Sequence, residues 1–173
     1  MATAPAEFSL ARKIGVKWYY KELWDWDLDQ VSSKNRDRKD HSTFLKSLLI
    51  AANGDGELTE AERKWVIGRA AASGAPDFVL QELTDYPATE DITTVISTTS
   101  VVNKCRRATI YFAIKAAASD GEYGEGEKAT VRKMARSMDI SEDIVKELED
   151  LCREEESLKQ KRIALCFPDG SPF

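Results

Sequence analysis

Residues 51–62, with the sequence AANGDGELTEAE, recur at residues 116–127 as AAASDGEYGEGE, with four acidic residues at matching positions. The alignment extends without gaps from residues 45–83 onto residues 110–148, where 11 of 39 positions are identical. Two copies are too few for a solenoid, which stacks three or more repeats. The repeat therefore predicts an all-α, single compact domain in which two pseudo-symmetric helix-turn-helix halves pack face to face.

Each copy is predicted to form a helix, a tight acidic turn and a second helix. Gly54 and Gly56 in the first copy, and Gly121 in the second, tolerate the left-handed backbone conformation at a helix end. Thr59, with Glu62 three positions later, has the pattern of a capping box, in which two side chains bind backbone N–H groups at a helix start. In the second copy Gly124 takes the place of Thr59, so that box lacks its hydroxyl.

The composition narrows the class of protein. With 42% hydrophobic and 32% charged residues, the 173-residue chain has the composition of a globular domain. Its net charge of -5 argues against nucleic-acid binding, which needs a basic surface. No apolar run approaches the roughly 20 residues of a membrane-spanning helix, and we expect no secretory signal. Three cysteines without metal-type spacing favour a reducing, cytoplasmic location.

The spacing of apolar residues divides the chain into an arm, a domain and a tail. Residues 1–38 form a Trp-rich arm, residues 39–158 the helical domain and residues 159–173 a C-terminal tail. Helices are predicted over about residues 42–52, 60–73, 76–83, 89–98 and 108–118, followed by one through residues 131–138 and one through residues 144–152. The segment 108–118 is apolar nearly all round and is the candidate for the buried centre, while residues 153–162 should continue the last helix into solvent.

The arm carries Trp18, Trp24 and Trp26 and invites two interpretations. In the first, a helix of the arm docks on the domain and the tryptophans cover an apolar patch. In the second, the same side chains bind a protein partner or a second copy of the chain. The sequence leaves both open.

Four carboxylates are the candidate metal ligands: Asp55, Glu62, Asp120 and Glu127. Each aspartate follows a helix C-terminus, where the helix dipole disfavours a carboxylate by about 0.3–1 kcal/mol, and a bound cation reverses that cost. If the two halves face each other, the four side chains converge on a site built of oxygen alone. Such a site suits calcium, magnesium or manganese.

The same residues also have a purely structural interpretation. Asp-Gly is a common turn dipeptide, and Glu62 is already explained as the partner of Thr59 in a capping box. Glu127 is nevertheless retained beside Gly124, which has no side chain to complete a box, and this favours a shared need for carboxylates.

Other chemistry has little support in the sequence. An EF-hand loop requires an acidic ligand at its first position, where this chain has Ala51 and Ala116. The single histidine, His41, lies at a predicted helix start, where a capping or surface role is more common than that of a base, and no Ser or Cys arrangement offers a nucleophile with an orienting partner. Phosphate-binding and dinucleotide-binding motifs are missing. We therefore expect that the protein is not an enzyme.

The duplicated pattern of small residues, Asp-Gly and a glutamate seven positions beyond the aspartate resembles the TerB-like domain of tellurite-resistance proteins over residues 40–152. The resemblance implies about seven helices with internal pseudo-symmetry and a divalent-metal site, which falls here on Asp55, Glu62, Asp120 and Glu127. It also implies a part in stress-response or membrane-associated signalling complexes. The Trp-rich arm and the proline-containing tail depart from the family pattern.

Together these observations predict a non-catalytic helical module that binds a divalent cation and acts in stress response or as a signalling scaffold. The alternative is a metal-free protein-interaction domain that uses the Trp-rich arm. A protein partner is expected on either interpretation, and a homodimer is an open alternative.

Overall fold

The computed structural model describes residues 9–28, 38–98 and 104–172, and within these ranges all regular structure is helical. The helices are α1 (Leu10–Trp24), α2 (Arg38–Ala52), α3 (Glu60–Ala72), α4 (Asp77–Asp85), α5 (Ile92–Ser97), α6 (Arg106–Ala117), α7 (Glu125–Ser137) and α8 (Glu142–Cys166). The all-α prediction is confirmed, and α2 to α8 are the seven helices expected of the domain. Among the described residues, no helix is both long and apolar enough to cross a membrane.

The two acidic bends have the same backbone. α2 and α6 each lead into a short 3-10 turn, Asn53–Asp55 and Ala118–Asp120. Each turn ends at a glycine with positive φ, 94° at Gly56 and 102° at Gly121, a conformation that side chains with a β-carbon adopt only at a cost. The left-handed conformation was also expected at Gly54, which is not among the positive-φ glycines.

The helices that follow the bends also end alike. Gly74 after α3 and Asp139 after α7 both have positive φ. One residue beyond each, the backbone N–H donates back into the helix, at 2.8 Å to the oxygen of Ala70 and at 3.0 Å to that of Ala135. These bonds satisfy carbonyl groups that a helix end otherwise leaves without a partner.

The core is centred on α6. This helix packs against α2, α7 and α8, and α2 packs along it most extensively. Nearly every residue from 109 to 117 of α6 is buried, as expected for a segment that is apolar all round. The facing side of α2 contributes fully buried leucines, namely Leu45, Leu48 and Leu49.

The last helix differs from the prediction in its length and in one core residue. α8 runs through the predicted domain boundary at residue 158 and ends at Cys166, because good helix formers continue to that point and Pro168 then prevents further helix. The helical spacing of Ile144, Val145, Leu148, Leu151 and Cys152 predicts that all five side chains face the core. Val145 and Cys152 are buried, whereas Leu151 is 42% exposed.

Other boundaries differ by a few residues. α2 begins at Arg38, inside the predicted arm, and the remaining arm residues 1–8 and 29–37 lie outside the described ranges. α5 is shorter than predicted because Asp91 caps it, its carboxylate accepting the N–H groups of Thr93 and Thr94. The apolar pattern predicts that Cys105 and Cys152 lie on or beside core faces, but Cys105 is exposed at the start of α6.

The two halves meet at backbone distance where the first bend touches the start of α7. A β-carbon at Gly54 would lie 2.6 Å from Cα of Glu127, and one at Gly126 would lie 2.7 Å from Cα of Asp55. Both distances are shorter than non-bonded carbon atoms tolerate. Glycine at positions 54 and 126 is therefore required by the approach of one half to the other.

We expect that Gly54→Ala and Gly126→Ala each lower the free energy of unfolding by about 1–3 kcal/mol, since a new methyl group would force the backbones apart. Gly126 lies in the first turn of α7, where alanine alone would favour the helix, so a loss of stability there reports the contact.

Gly68→Ala is the matched control, because Gly68 lies within α3 and its β-carbon would have no neighbour within 4 Å. It should stabilise the protein by about 0.5–1 kcal/mol in the same urea unfolding experiment. Equal effects of all three substitutions would contradict the close approach of the two halves.

Candidate functional site

Glu62 and Glu127 are buried in the first turns of α3 and α7, with only 2% and 4% of their surface exposed. Oε2 of Glu62 accepts the backbone N–H of Thr59 at 2.7 Å and its hydroxyl at 2.8 Å. Oε2 of Glu127 accepts the backbone N–H of Gly124 at 2.5 Å. Each glutamate thus caps the start of its own helix, and the second does so without a hydroxyl at the capping position.

The two carboxyl groups also meet each other. Burial raises the pKa of Glu127 to about 8, the backbone N–H of Gly124 opposes the rise, and the neighbouring carboxyl groups of Glu62 and Asp55 add to it. Below about pH 8 Glu127 therefore carries a proton and the buried pair avoids a second negative charge.

Asp55 and Asp120 lie at the exposed rim of the bends. Oδ1 of Asp55 accepts the N–H of Glu57 at 2.9 Å, and Oδ1 of Asp120 accepts that of Glu122 at 3.0 Å. The first bend packs against α7 and the second against α3, so each bend lies on the helix that carries the other half's glutamate.

The four predicted ligands are thus divided between a buried pair of glutamates and two exposed aspartates. Over residues 9–28, 38–98 and 104–172, no three or more His, Cys, Asp or Glu side chains are grouped so that they could hold a metal ion. The buried pair is the centre of the candidate site, because two carboxyl groups that would carry like charges lie close together there.

Sequence reasoning overlooked Gly126. A glycine inside a helix costs about 1 kcal/mol relative to alanine and therefore signals a packing reason. The first copy has Ala61 at the matching position, so the difference between the copies was visible in the alignment. What the sequence could not indicate is that Gly126 faces the backbone of Gly54 and Asp55.

The arm docks through Trp24, the last residue of α1. The Trp24 ring lies edge-on to Phe112 and Tyr111 of α6, with ring centroids 5.8 Å and 6.1 Å apart. Trp26 stacks on Trp24 at 5.7 Å and remains 52% exposed.

The other side of α1 faces solvent. Leu10, Ile14 and Trp18 recur every four residues and are all more than half exposed. The tryptophans therefore differ in exposure. Trp24 packs against the domain, whereas most of the Trp18 side chain is open to solvent.

A solved structure is similar to this chain over nearly its whole length. The crystal structure of a tellurite resistance protein from Nostoc punctiforme matches 96% of this chain and 100% of its own, with 35% sequence identity and a TM-score of 0.80. The chain belongs to the TerB-like family of tellurite-resistance proteins. No protein-family profile matches it, and no curated protein sequence does.

The extent of the match revises one expectation about this TerB-like protein. The arm and the tail were expected to depart from the family, yet a match over 96% of the chain includes most of both. The Nostoc protein is therefore similar in length to this chain, and the match includes most of the arm and of the tail.

We expect Trp24→Ala to lower the free energy of unfolding by about 2 kcal/mol, because it removes the aromatic contacts that hold the arm on α6. Trp18→Ala, the matched control on the exposed side of α1, should change it by less than about 0.5 kcal/mol. Similar losses from both variants, measured by chemical denaturation, would show that the arm does not dock through Trp24.

We expect Glu127 to make stability depend on pH in the metal-free protein. Its pKa is raised from 4.5 when unfolded to about 8 when folded, so the native state binds the proton more tightly. The protonated carboxyl therefore contributes stability that is full below about pH 4.5 and is lost as the pH rises through about 8.

Glu127→Gln mimics the protonated form and should remove this dependence. In chelator, the variant should gain stability relative to the parent as the pH rises from about 5 to about 9, as measured by thermal melting. Glu122→Gln, at an exposed glutamate in the second bend, should follow the parent. A parent-to-variant difference that is constant across this range would exclude the raised pKa.

Proposed function

We propose that this TerB-like protein is a non-catalytic module of the cell's response to tellurite or related stress, and that it binds a divalent cation where its two halves meet. The buried pair formed by Glu62 and Glu127 carries the proposal. Burial of two carboxylates side by side is unfavourable unless a proton or a cation shares them.

The chemistry of the pair suits a hard cation. Each glutamate uses Oε2 for capping, at 2.7 Å in the first half and 2.5 Å in the second, and each retains a second carboxylate oxygen. A donor set of oxygen alone favours calcium, magnesium or manganese over zinc or copper. Asp55 and Asp120 stand at the rim and would add negative charge around the ion.

The absence of a ready-made group of three ligands among the described residues argues against a closed calcium cage. It is compatible with a magnesium-type site, in which one or two carboxylates hold the ion and water completes the coordination. When bound, the cation would take over the role of the proton that the glutamate pair otherwise holds.

The link to stress rests on the family. The Nostoc protein is described as a tellurite resistance protein, and its 35% identity covers nearly the whole of both chains. We extend that role to this chain as part of the proposal, together with a role for the bound cation as a signal or a structural clamp.

The test is thermal melting in excess chelator and then in calcium, magnesium or manganese. A cation at a hundred times its dissociation constant should stabilise the fold by about 2.7 kcal/mol. The stabilisation should weaken as the pH falls below about 8, because protons compete for the Glu62–Glu127 pair. Glu62→Gln and Glu127→Gln should abolish it, while Asp55→Asn and Asp120→Asn should reduce it.

Glu122→Gln serves as the control, since it removes one charge from the second bend without touching the pair, and it should leave the shift intact. If none of the three cations stabilises the parent, or if the shift survives Glu127→Gln, the cation proposal fails. The rival function then gains weight, namely a metal-free interaction domain that uses the exposed Leu10, Ile14 and Trp18 side of the arm.

A further inference from the structure

The second half of α8 extends beyond the body of the protein. Glu155 accepts hydrogen bonds from Tyr111 and Lys115 of α6, and beyond it Glu156, Lys159 and Gln160 border a cleft beside the second bend. Every described residue from 156 to 172 is exposed, and the helix continues to Cys166. The last 11 residues of the helix, about 16 Å, therefore have much of their surface open to solvent.

This projection carries apolar side chains that the fold does not use. Leu151, Leu158 and Leu165 are 42%, 65% and 73% exposed and stand seven residues apart. Seven residues are almost two full helical turns, so the three leucines form one row along the helix. The row lies roughly 100° around the helix from the side that bears Val145 and Cys152, which are buried against the body.

Charges are distributed unevenly about the middle leucine. Glu154, Glu155 and Glu156 precede Leu158, whereas Lys159, Lys161 and Arg162 follow it. Glu156 pairs with Lys159 inside the helix. Glu154 and Lys161 are seven residues apart, about 10 Å along the axis, so they cannot pair with each other, yet both flank the leucine row on the same side.

We propose that a second copy of this chain docks antiparallel on the leucine row of α8, centred on Leu158. In that arrangement Leu158 meets Leu158 of the second copy, and Leu151 meets Leu165 of the second copy. Glu154 comes opposite Lys161 of the second copy on one flank, and Arg162 comes opposite Glu155 on the other. The same contacts occur twice, as a twofold interface requires.

A parallel pair would not use these charges. In register, Glu154 would come opposite Glu155 of the second copy and Lys161 opposite Arg162, and like charges held together cost several kcal/mol. The order of acidic residues before Leu158 and basic residues after it is therefore specific to the antiparallel arrangement. This interface is independent of the cation site, since it uses one helix on the outside of the fold.

The test is the molar mass of the full chain in solution, measured by sedimentation over a range of concentrations. The parent should reach twice its monomer mass of 19.4 kDa. Leu158→Glu should leave a monomer, with an unchanged helical circular dichroism spectrum because the side chain is exposed. Glu154→Lys and Lys161→Glu should each raise the dimer dissociation constant at least about tenfold.

The double variant Glu154→Lys with Lys161→Glu exchanges the two charges, so opposite charges face each other again between antiparallel helices and the dissociation constant should return close to that of the parent. Lys146→Glu is the matched control, because it makes the same change in charge on an exposed part of α8 away from the leucine row, and it should have no effect. A monomeric parent, a dimer that survives Leu158→Glu, or a double variant no tighter than the single ones would overturn the proposal.

Discussion

The contact between Gly54 and Gly126 constrains the whole domain. With no β-carbon on either side, the first bend lies against the first turn of α7 at backbone distance, 2.6 Å from a virtual β-carbon to Cα of Glu127. That approach places the starts of α3 and α7 together, and both helices carry a glutamate in their first turn. The burial of those two carboxyl groups follows from the packing of the halves.

The glutamate pair balances two electrostatic effects. A carboxylate in the first turn of a helix is stabilised by the dipole and by free backbone N–H groups, and both Glu62 and Glu127 accept such a bond. Two such helix starts in contact also bury two carboxyl groups near each other, and burial, together with the charges of Glu62 and Asp55, raises the pKa of Glu127 to about 8. The capping function alone would be served equally well by glutamates kept apart, so it does not explain why the pair is buried.

The sequence predicted the helices and the bends because their signals are local. Apolar spacing located α2, α3, α6 and α7, and Gly56 and Gly121 marked the ends of the turns. The sequence did not indicate that Glu62 and Glu127 are buried whereas Asp55 and Asp120 are exposed. Which carboxylate is buried depends on how the two halves pack. The prediction placed Leu151 in the core for a related reason. Apolar residues have the same spacing along a helix whether they face the core or form an exposed apolar row.

The two copies differ most in their last helices. α4 spans Asp77–Asp85 and is stopped by Pro87, whereas its counterpart α8 spans Glu142–Cys166. The two bends and the helices they pack against belong to one molecule. The proposed cation site between the halves would therefore need residues of a single chain. The extended part of α8 has no counterpart in the first half that could pair with it. Among the described residues, α8 is the one helix with such a leucine row, so an equivalent helix is found in a second molecule, and the acidic and basic stretches on either side of Leu158 match when that helix runs in the opposite direction.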